Sequence, residues 1–529
     1  CLAAIEEDAR MPVLLRRVFA WLLCVVCALA ALPCLDFLAR HQLRQHLVAS
    51  ASATLGALTH ADSPHQWSAR TADDLIAGRA FGTTDAQFVE DGFQLRSRGN
   101  EIQVGLVLAA AMDLARFPLL DIDLRSDSPA ALGLIVAESL EAPTCMSATT
   151  PVARGESLLT INLRSIEWQC QGSASAPPRR AAMLRLHLEL PADASVTLRH
   201  VRARTQTHLD APALPNLALP LLPEPRDGVE FDRMLSRIAE NAGQMTWPIL
   251  QLPLDARVEQ SLWARDRVRD AIADAVVVPA GDFQAVVEGA QAWRAPDPRA
   301  ATPAATWLWL GGYIALLLAL RLKPPLDQRL RAALELLAAT VVPLIVVIGG
   351  FIGDNISPLV LGASIATIVF ALSLLIGDAP AEPSARTMKR GWWVALATVI
   401  LAVALILELA HGQLPQQLPG LAQMARYLAW AAVQQFLICV IVAERIERIT
   451  ASSRIALLGA ALIFALLHTP NGMLMQLGFV AGLVWIWNWQ RHRALLANIV
   501  AHACSGLLLA DSLPPQWLHS AEVSARYFL

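Results

Sequence analysis

Two histidines, His468 and His502, and a glutamine pair, Gln434-Gln435, interrupt runs of Ala, Leu, Ile and Val near the end of the chain. Metal-binding or ionisable side chains at membrane depth are costly and rare, so a cluster of them points to a site. His468 closes the run Phe464-Ala-Leu-Leu-His468, just before the turn residues Thr469, Pro470, Asn471 and Gly472. Asn498-Ile-Val-Ala-His502 sets an amide and an imidazole four residues apart, on one face of a helix. Neutral imidazole is a common zinc ligand, and two imidazoles from neighbouring helices could face one ion. A catalytic zinc keeps three protein ligands and an open position, where bound water loses its proton near neutral pH and a nearby carboxylate acts as base. The expected metal ligands are therefore His468, His502 and Asn498, and the expected ion is Zn2+. Gln434 or Gln435 would orient water or a carbonyl, and Asn498 or Asn471 would add an oxygen ligand or an oxyanion donor. Plainer roles stand beside these. Each histidine could serve as a hydrogen-bonding link between helices or remain from a lost site, and His468 could face the outer interface.

Composition says what must position these residues. Hydrophobic residues are 55% of the chain, charged residues 16%, and mean hydropathy is +0.45. The apolar residues concentrate at 13–38 and beyond 305, and the stretch between is ordinary soluble sequence. The net charge of −3 and the lack of a long basic run speak against nucleic-acid binding. Residues 1–17 read as a cytoplasmic N-terminus, with Met11 the natural start, and Arg16-Arg17 before residues 18–38 mark an uncleaved transmembrane anchor. Beyond residue 305, eight further hydrophobic segments of membrane-spanning length run near 306–321, 332–352, 357–377, 391–410, 427–446, 455–469, 472–489 and 494–510. Alternate loops carry the Arg and Lys residues, as an in–out weave requires. The segments predict a membrane domain over 306–511 and a tail at 512–529. The protein would be multi-pass in the inner membrane, in contact with the lipid bilayer.

Residues 40–205 would lie outside the cytoplasm. FQLRS, EIQVGLVL, LLDIDLRS, ALGLIVAE, SLLTINLRS, AMLRLHLEL and SVTLRHVRAR are short runs of partial alternation, and they predict an antiparallel β-sandwich of jelly-roll type. Cys145 and Cys170 are the only cysteines of that region, and an oxidising compartment would let them form a disulfide. Cys24-x-x-Cys27 lies in the anchor and reads as two small apolar residues. Trp168 could stack on a glycan ligand or be a core or edge tryptophan. Residues 206–305 read as a linker with short helices over 231–275.

The final helices resemble the CPBP family of intramembrane metalloproteases, which covers CAAX-prenyl endopeptidases and bacteriocin-processing and self-immunity proteins. That family has a Glu-Glu-x-x-x-Arg helix, then Phe-x-x-x-His, then His-x-x-x-Asn. Phe464 and His468 match the second motif and His502 the histidine of the third, with separations of 34 residues from Gln434 to His468 and 34 more to His502. The departures bear on chemistry. Gln434-Gln435 stand in place of the glutamates, Cys439 in place of the arginine, and Gly506 in place of the last asparagine. A glutamine cannot take a proton at neutral pH, and loss of a general base typically costs about two to four orders of magnitude. Glu408 with His411, or Glu444 with Glu447, are conceivable substitutes; the latter pair sits among Arg445 and Arg448, where a salt-bridged cluster is the simpler reading. The resemblance implies a membrane metalloendopeptidase acting on a peptide or membrane-protein substrate, with impaired or altered catalysis. The alternative is a non-catalytic receptor or scaffold whose outer β-domain binds a glycan or envelope protein. A transporter would show internal repeats, and no convincing repeat is present.

Overall fold

The computed structural model describes residues 13–60, 63–108, 111–139, 142–171, 178–205, 214, 219–226, 228–242, 247–294, 304–352, 357–374, 385–409 and 420–528. His411 lies outside them. The chain forms two compact units, one of Cys1–Leu43, Arg257–Trp263 and Ala301–Leu529, the other of Arg44–Ala256 and Ala264–Ala300.

The first helix, α1 (Val13–Thr59), is 47 residues long. It runs well past the anchor expected at 18–38, so residues 40–59 are helical and not part of the sheet region. The cause is a change of period. Leu43, Leu47, Ala51, Leu55 and Leu58 recur every three or four residues and all are buried, with Arg44, Gln45, Ser50 and Thr54 among the residues between them.

The β-region spans residues 66–204. Its long strands are β1 (Leu75–Val89), β2 (Gly92–Leu106), β3 (Leu119–Ser126), β4 (Ala130–Ala137), β5 (Gly155–Asn162), β6 (Met183–Glu189) and β7 (Ser195–Arg204). Together with short strands they make one 11-stranded antiparallel sheet. The strand that organises it is β2. Its first half, Phe93–Arg96, pairs with Leu198–Ser195 of β7, and its second half, Glu101–Leu106, pairs with β6. The sheet continues from β7 to β3 and β5, and from β6 to β4. Alternate residues of these strands point inward. Leu120, Ile122 and Leu124 of β3 thus join Leu132, Leu134 and Val136 of β4 and Leu184, Leu186 and Leu188 of β6 in one hydrophobic core.

Cys145 and Cys170 form the expected disulfide across two paired strands at one end of the sheet. Trp168, beside it, packs half-buried on the core, and its indole donates to the Leu163 carbonyl at 3.4 Å. Further along, the helices expected over 231–275 are joined by strands. α2 (Gly228–Ala242) is followed by β8 (Ile249–Leu252), α3 (Val258–Ala271), β9 (Val276–Pro279) and α4 (Phe283–Ala292). β8 and β9 are parallel, which requires the helical crossover that α3 supplies.

One polar knot holds β3, β5 and β7 together. Asp121 accepts from Arg204 Nε and from Arg204 Nη2 at 3.1 Å, from Arg202 at 3.4 Å and from the Thr160 hydroxyl at 2.8 Å. Burial pushes the Asp121 carboxyl up, but the Arg204 guanidinium, the Thr160 hydroxyl and Arg202 outweigh it and hold the group below its ordinary value of 3.8. The unfolded chain therefore binds the proton first. The stabilisation is complete above the ordinary carboxylate range and is lost as pH falls through the lowered folded value. Asp121→Asn is expected to cost about 2 kcal/mol at pH 7 and to flatten the acid limb of the unfolding profile. Equal acid sensitivity of the variant and the parent in a circular-dichroism titration would refute this.

The membrane unit contains α5 (Ala304–Leu322), α6 (Gln328–Ile348), α7 (Pro358–Ser373), α8 (Ala385–Leu409), α9 (Leu421–Gln435), a π-helical segment (Phe436–Ala443), α10 (Glu444–Thr450), α11 (Ser453–Leu466), α12 (Gly472–His492) and α13 (Leu495–Ser512). Among the described residues, six helical stretches are long and apolar enough to cross a membrane: Ala20–Thr59, Gln328–Ile348, Arg386–Leu409, Leu421–Thr450, Gly472–His492 and Leu495–Ser512. Trp307–Leu322, Pro358–Ser373 and Ser453–Leu466 are apolar but shorter. These helices make the chain a multi-pass membrane protein. Their outward residues suit lipid and not water, with Leu308, Trp309, Ile400 and Leu401 all uncovered. Side-chain caps start several of them: Asp327 accepts from the amides of Arg329 and Leu330, Ser452 from Ile455, and Asn471 from Leu474. Residues 257–263 belong to this unit as well. There Glu259, buried, accepts from the Met473 amide at 2.6 Å, which puts a carboxylate on the positive end of α12.

Candidate active site

Gln435 is the last residue of α9 and is buried. Its Nε2 lies 3.3 Å from Nδ1 of His502 on α13, and its Oε1 accepts from the Cys439 thiol at 3.5 Å. An amide N–H only donates, so in this pairing His502 Nδ1 accepts and the ring proton sits on Nε2. The glutamine therefore fixes a tautomer as well as an orientation.

Aromatic rings enclose the same imidazole. Trp485 of α12 stacks on it with centroids 4.9 Å apart at 30°. Phe464 of α11 meets it edge-on at 5.6 Å, and Tyr427 of α9 at 6.4 Å. Phe464 also touches His468, at 4.8 Å. Both histidines thus flank one phenyl ring, as their spacing from separate helices suggested. His468 follows the end of α11 and is half-buried. Its Nδ1 lies 2.8 Å from the Phe464 carbonyl, an acceptor, so Nδ1 carries the proton and Nε2 keeps a free lone pair. Gly478 makes room for it, since a Cβ there would lie 3.3 Å from His468 Nδ1.

The two asparagines are committed elsewhere. Asn498 Nδ2 donates to the Trp485 carbonyl at 2.7 Å, and its Oδ1 accepts from Asn488 at 2.7 Å. Asn488 also donates to the Gly391 carbonyl, so this buried amide chain ties α8, α12 and α13. Asn471 caps α12 and donates to the carbonyls of Ser520 and Glu522. Gln434 is half-buried and has no hydrogen-bond partner among the described residues.

No carboxylate bonds either imidazole among the described residues. Glu444 is paired with Arg493 at 2.5 Å and Arg448 at 3.8 Å, as a salt-bridged cluster should be. Glu408 is exposed at the end of α8. Glu335 of α6 is buried between Arg445 at 2.9 Å and Arg331 at 2.8 Å. No group of three His, Cys, Asp or Glu gathers to hold a metal ion among the described residues. A zinc site would find one ready nitrogen, His468 Nε2, while His502 presents a protonated one and Asn498 is spent. The donor set here does not complete a catalytic zinc site.

Tyr427 was not foreseen from the sequence. It lies two helical turns before Gln434 and is one of three tyrosines in the chain, which is the signal that could have found it. A Cβ built on Gly506 would lie 2.1 Å from Tyr427 Oη. The phenol fills the space where the resemblance calls for an asparagine side chain. Gly506→Asn is expected to destabilise the protein by about 1–3 kcal/mol through overpacking, and Tyr427→Ala in the same chain to recover part of that. Thermal unfolding of the single and double variants measures the coupling; simple additivity would reject the steric account.

Comparison with known proteins now bears on this geometry. Residues 436–508 match the family model described as type II CAAX prenyl endopeptidase Rce1-like, and they form an Rce1-like domain. The matched stretch holds Phe464, His468, Asn498 and His502 and begins one residue after Gln435. At family level the match supports a CAAX-protease-like membrane peptidase domain. No curated protein sequence matches the chain. Among solved structures, the chain has a likeness to the family 11 carbohydrate-binding module of the cellulosomal cellulase Lic26A-Cel5E of Clostridium thermocellum, at 11% identity over 24% of this chain and 85% of that one, with a TM-score of 0.19. A likeness at that score carries no argument.

Proposed function

We propose that the Rce1-like domain is a membrane peptidase domain whose hydrolysis is impaired to the point of loss, and that it keeps a polar pocket able to hold a peptide or a segment of a membrane protein. The observation that carries this is the Gln435–His502 contact: an amide occupies the place of the base and takes up His502 Nδ1, the ring nitrogen that would otherwise be free to ligate. Gln434 or Gln435 would orient a bound carbonyl. The surrounding architecture in this reading is an eight-helix bundle in an inner membrane, preceded by an anchor and a jelly-roll-like sandwich outside the cytoplasm. Both halves of β2 pairing with different strands support the sandwich. Trp168, packed on the core, gives no support to a glycan ligand.

Zinc per chain, measured on purified full-length protein beside His468→Ala/His502→Ala, tests the reading, with hydrolysis of a prenylated CAAX peptide as second readout. Near-zero zinc in both and no hydrolysis are expected. Stoichiometric zinc in the parent that the double variant loses, together with cleavage, would overturn the loss of catalysis.

A further inference from the structure

Away from the histidines, a cavity of about 390 Å³ opens where α10, α11 and α12 meet the start of α1. That is the size of a small-molecule site. Its charged lining is Arg454, Arg491 and Arg493 against Glu444 and Glu447, so one positive charge is left over. Arg493 is held by Glu444 at 2.5 Å and lies over the Trp489 ring at 4.9 Å, while Arg454 lies over Trp21 at 5.2 Å. Ser453, the first residue of α11, also lines the cavity, which brings the positive end of a 14-residue helix to it. An excess guanidinium, a helix N-terminus and two tryptophans together suit a singly charged phosphodiester.

We propose that this cavity is a binding site for the headgroup of an anionic glycerophospholipid. The surroundings favour a lipid over free phosphate. Leu22, next to Trp21 in sequence, is 58% exposed, and Ile455, next to Arg454, is 52% exposed, so uncovered apolar side chains adjoin the lining residues and would serve as an apolar track. Acyl chains would lie on that track while the phosphate sits between Arg454 and Arg491. The tryptophans are of the type that lines membrane interfaces, and arginine forks fit phosphate oxygens in pairs.

Native mass spectrometry of the full chain in detergent tests this, with phosphatidylglycerol, phosphatidylcholine and inorganic phosphate offered in separate arms. The expected result is retention of one phosphatidylglycerol and neither of the others. Arg454→Gln/Arg491→Gln should weaken retention on the order of tenfold, while the exposed control Lys323→Gln/Arg329→Gln should leave it unchanged. Equal retention of both lipids by the parent, binding of inorganic phosphate alone, or equal loss in the control would each overturn the proposal.

Discussion

Glu335→Ala is expected to cost about 3–5 kcal/mol of stability, the largest effect of any single change considered. The carboxylate accepts from Arg445 Nε at 2.9 Å and from Arg331 Nε at 2.8 Å. Arg445 and Glu335 are almost wholly buried, at 1% and 2% exposure. Removing the acid takes away the carboxylate that Arg445 bonds, in a medium that solvates a guanidinium poorly. Glu335→Gln should fare little better, because an amide keeps the shape but not the charge. Glu335→Leu/Arg445→Met should recover much of the loss, since a well-packed apolar pair replaces a buried ion pair at small cost. Thermal unfolding in detergent decides the matter: a single variant as stable as the parent would show that the pair is water-accessible and energetically idle.

Gln435→Glu is expected to raise zinc affinity by about 10- to 100-fold. A carboxylate 3.3 Å from His502 Nδ1 would accept a proton that the present amide cannot. The ring proton would move to Nδ1, and Nε2 would become free to ligate, as His468 Nε2 already is. Without metal the new charge is buried and the variant should be less stable than the parent; with zinc it should regain stability, which gives a ligand-dependent Tm. Adding Gln434→Glu supplies a group able to take a proton. Hydrolysis of a prenylated peptide should then rise by about two orders of magnitude over the parent's background, the low end of a general base's contribution, because Cys439 and Gly506 still stand at two other motif positions. An unchanged zinc titration would show that the tautomer is not what keeps metal out.

Much of the site was legible beforehand. His468 and His502 both flank Phe464 because the short turns on either side of α12 keep α11, α12 and α13 together. The identity of the third partner was half legible. Gln434 and Gln435 were equivalent in sequence, and only the seating of α9 against α13 shows that Gln435 makes the contact. Asn498 was on the correct face, but its amide is claimed by Asn488 and by a backbone carbonyl, and backbone partners leave no trace in a sequence. Tyr427 and Trp485 enclose His502 through packing across helices, which no local pattern encodes. In the other unit, strand alternation and the disulfide were readable. The continuation of α1 to Thr59 was not, because Arg44, Gln45, His46, Ser50, Ser52 and Thr54 break up the apolar run that marked the anchor. β8 and β9 were missed because four-residue apolar runs suit helix or strand equally.

The π-helical segment between Gln435 and Glu444 has a consequence for the packing on either side of it. Widened turns of this kind accommodate one surplus residue in an otherwise regular helix. Excising a single residue from 436–443 would rewind the stretch and swing everything after it by about 100°. Gln435 would still face His502, but Arg445 would turn away from Glu335, and the buried acid would lose its counterpart. A chain one residue shorter here could not keep both the amide contact and the ion pair, so holding the two together depends on the widened turns.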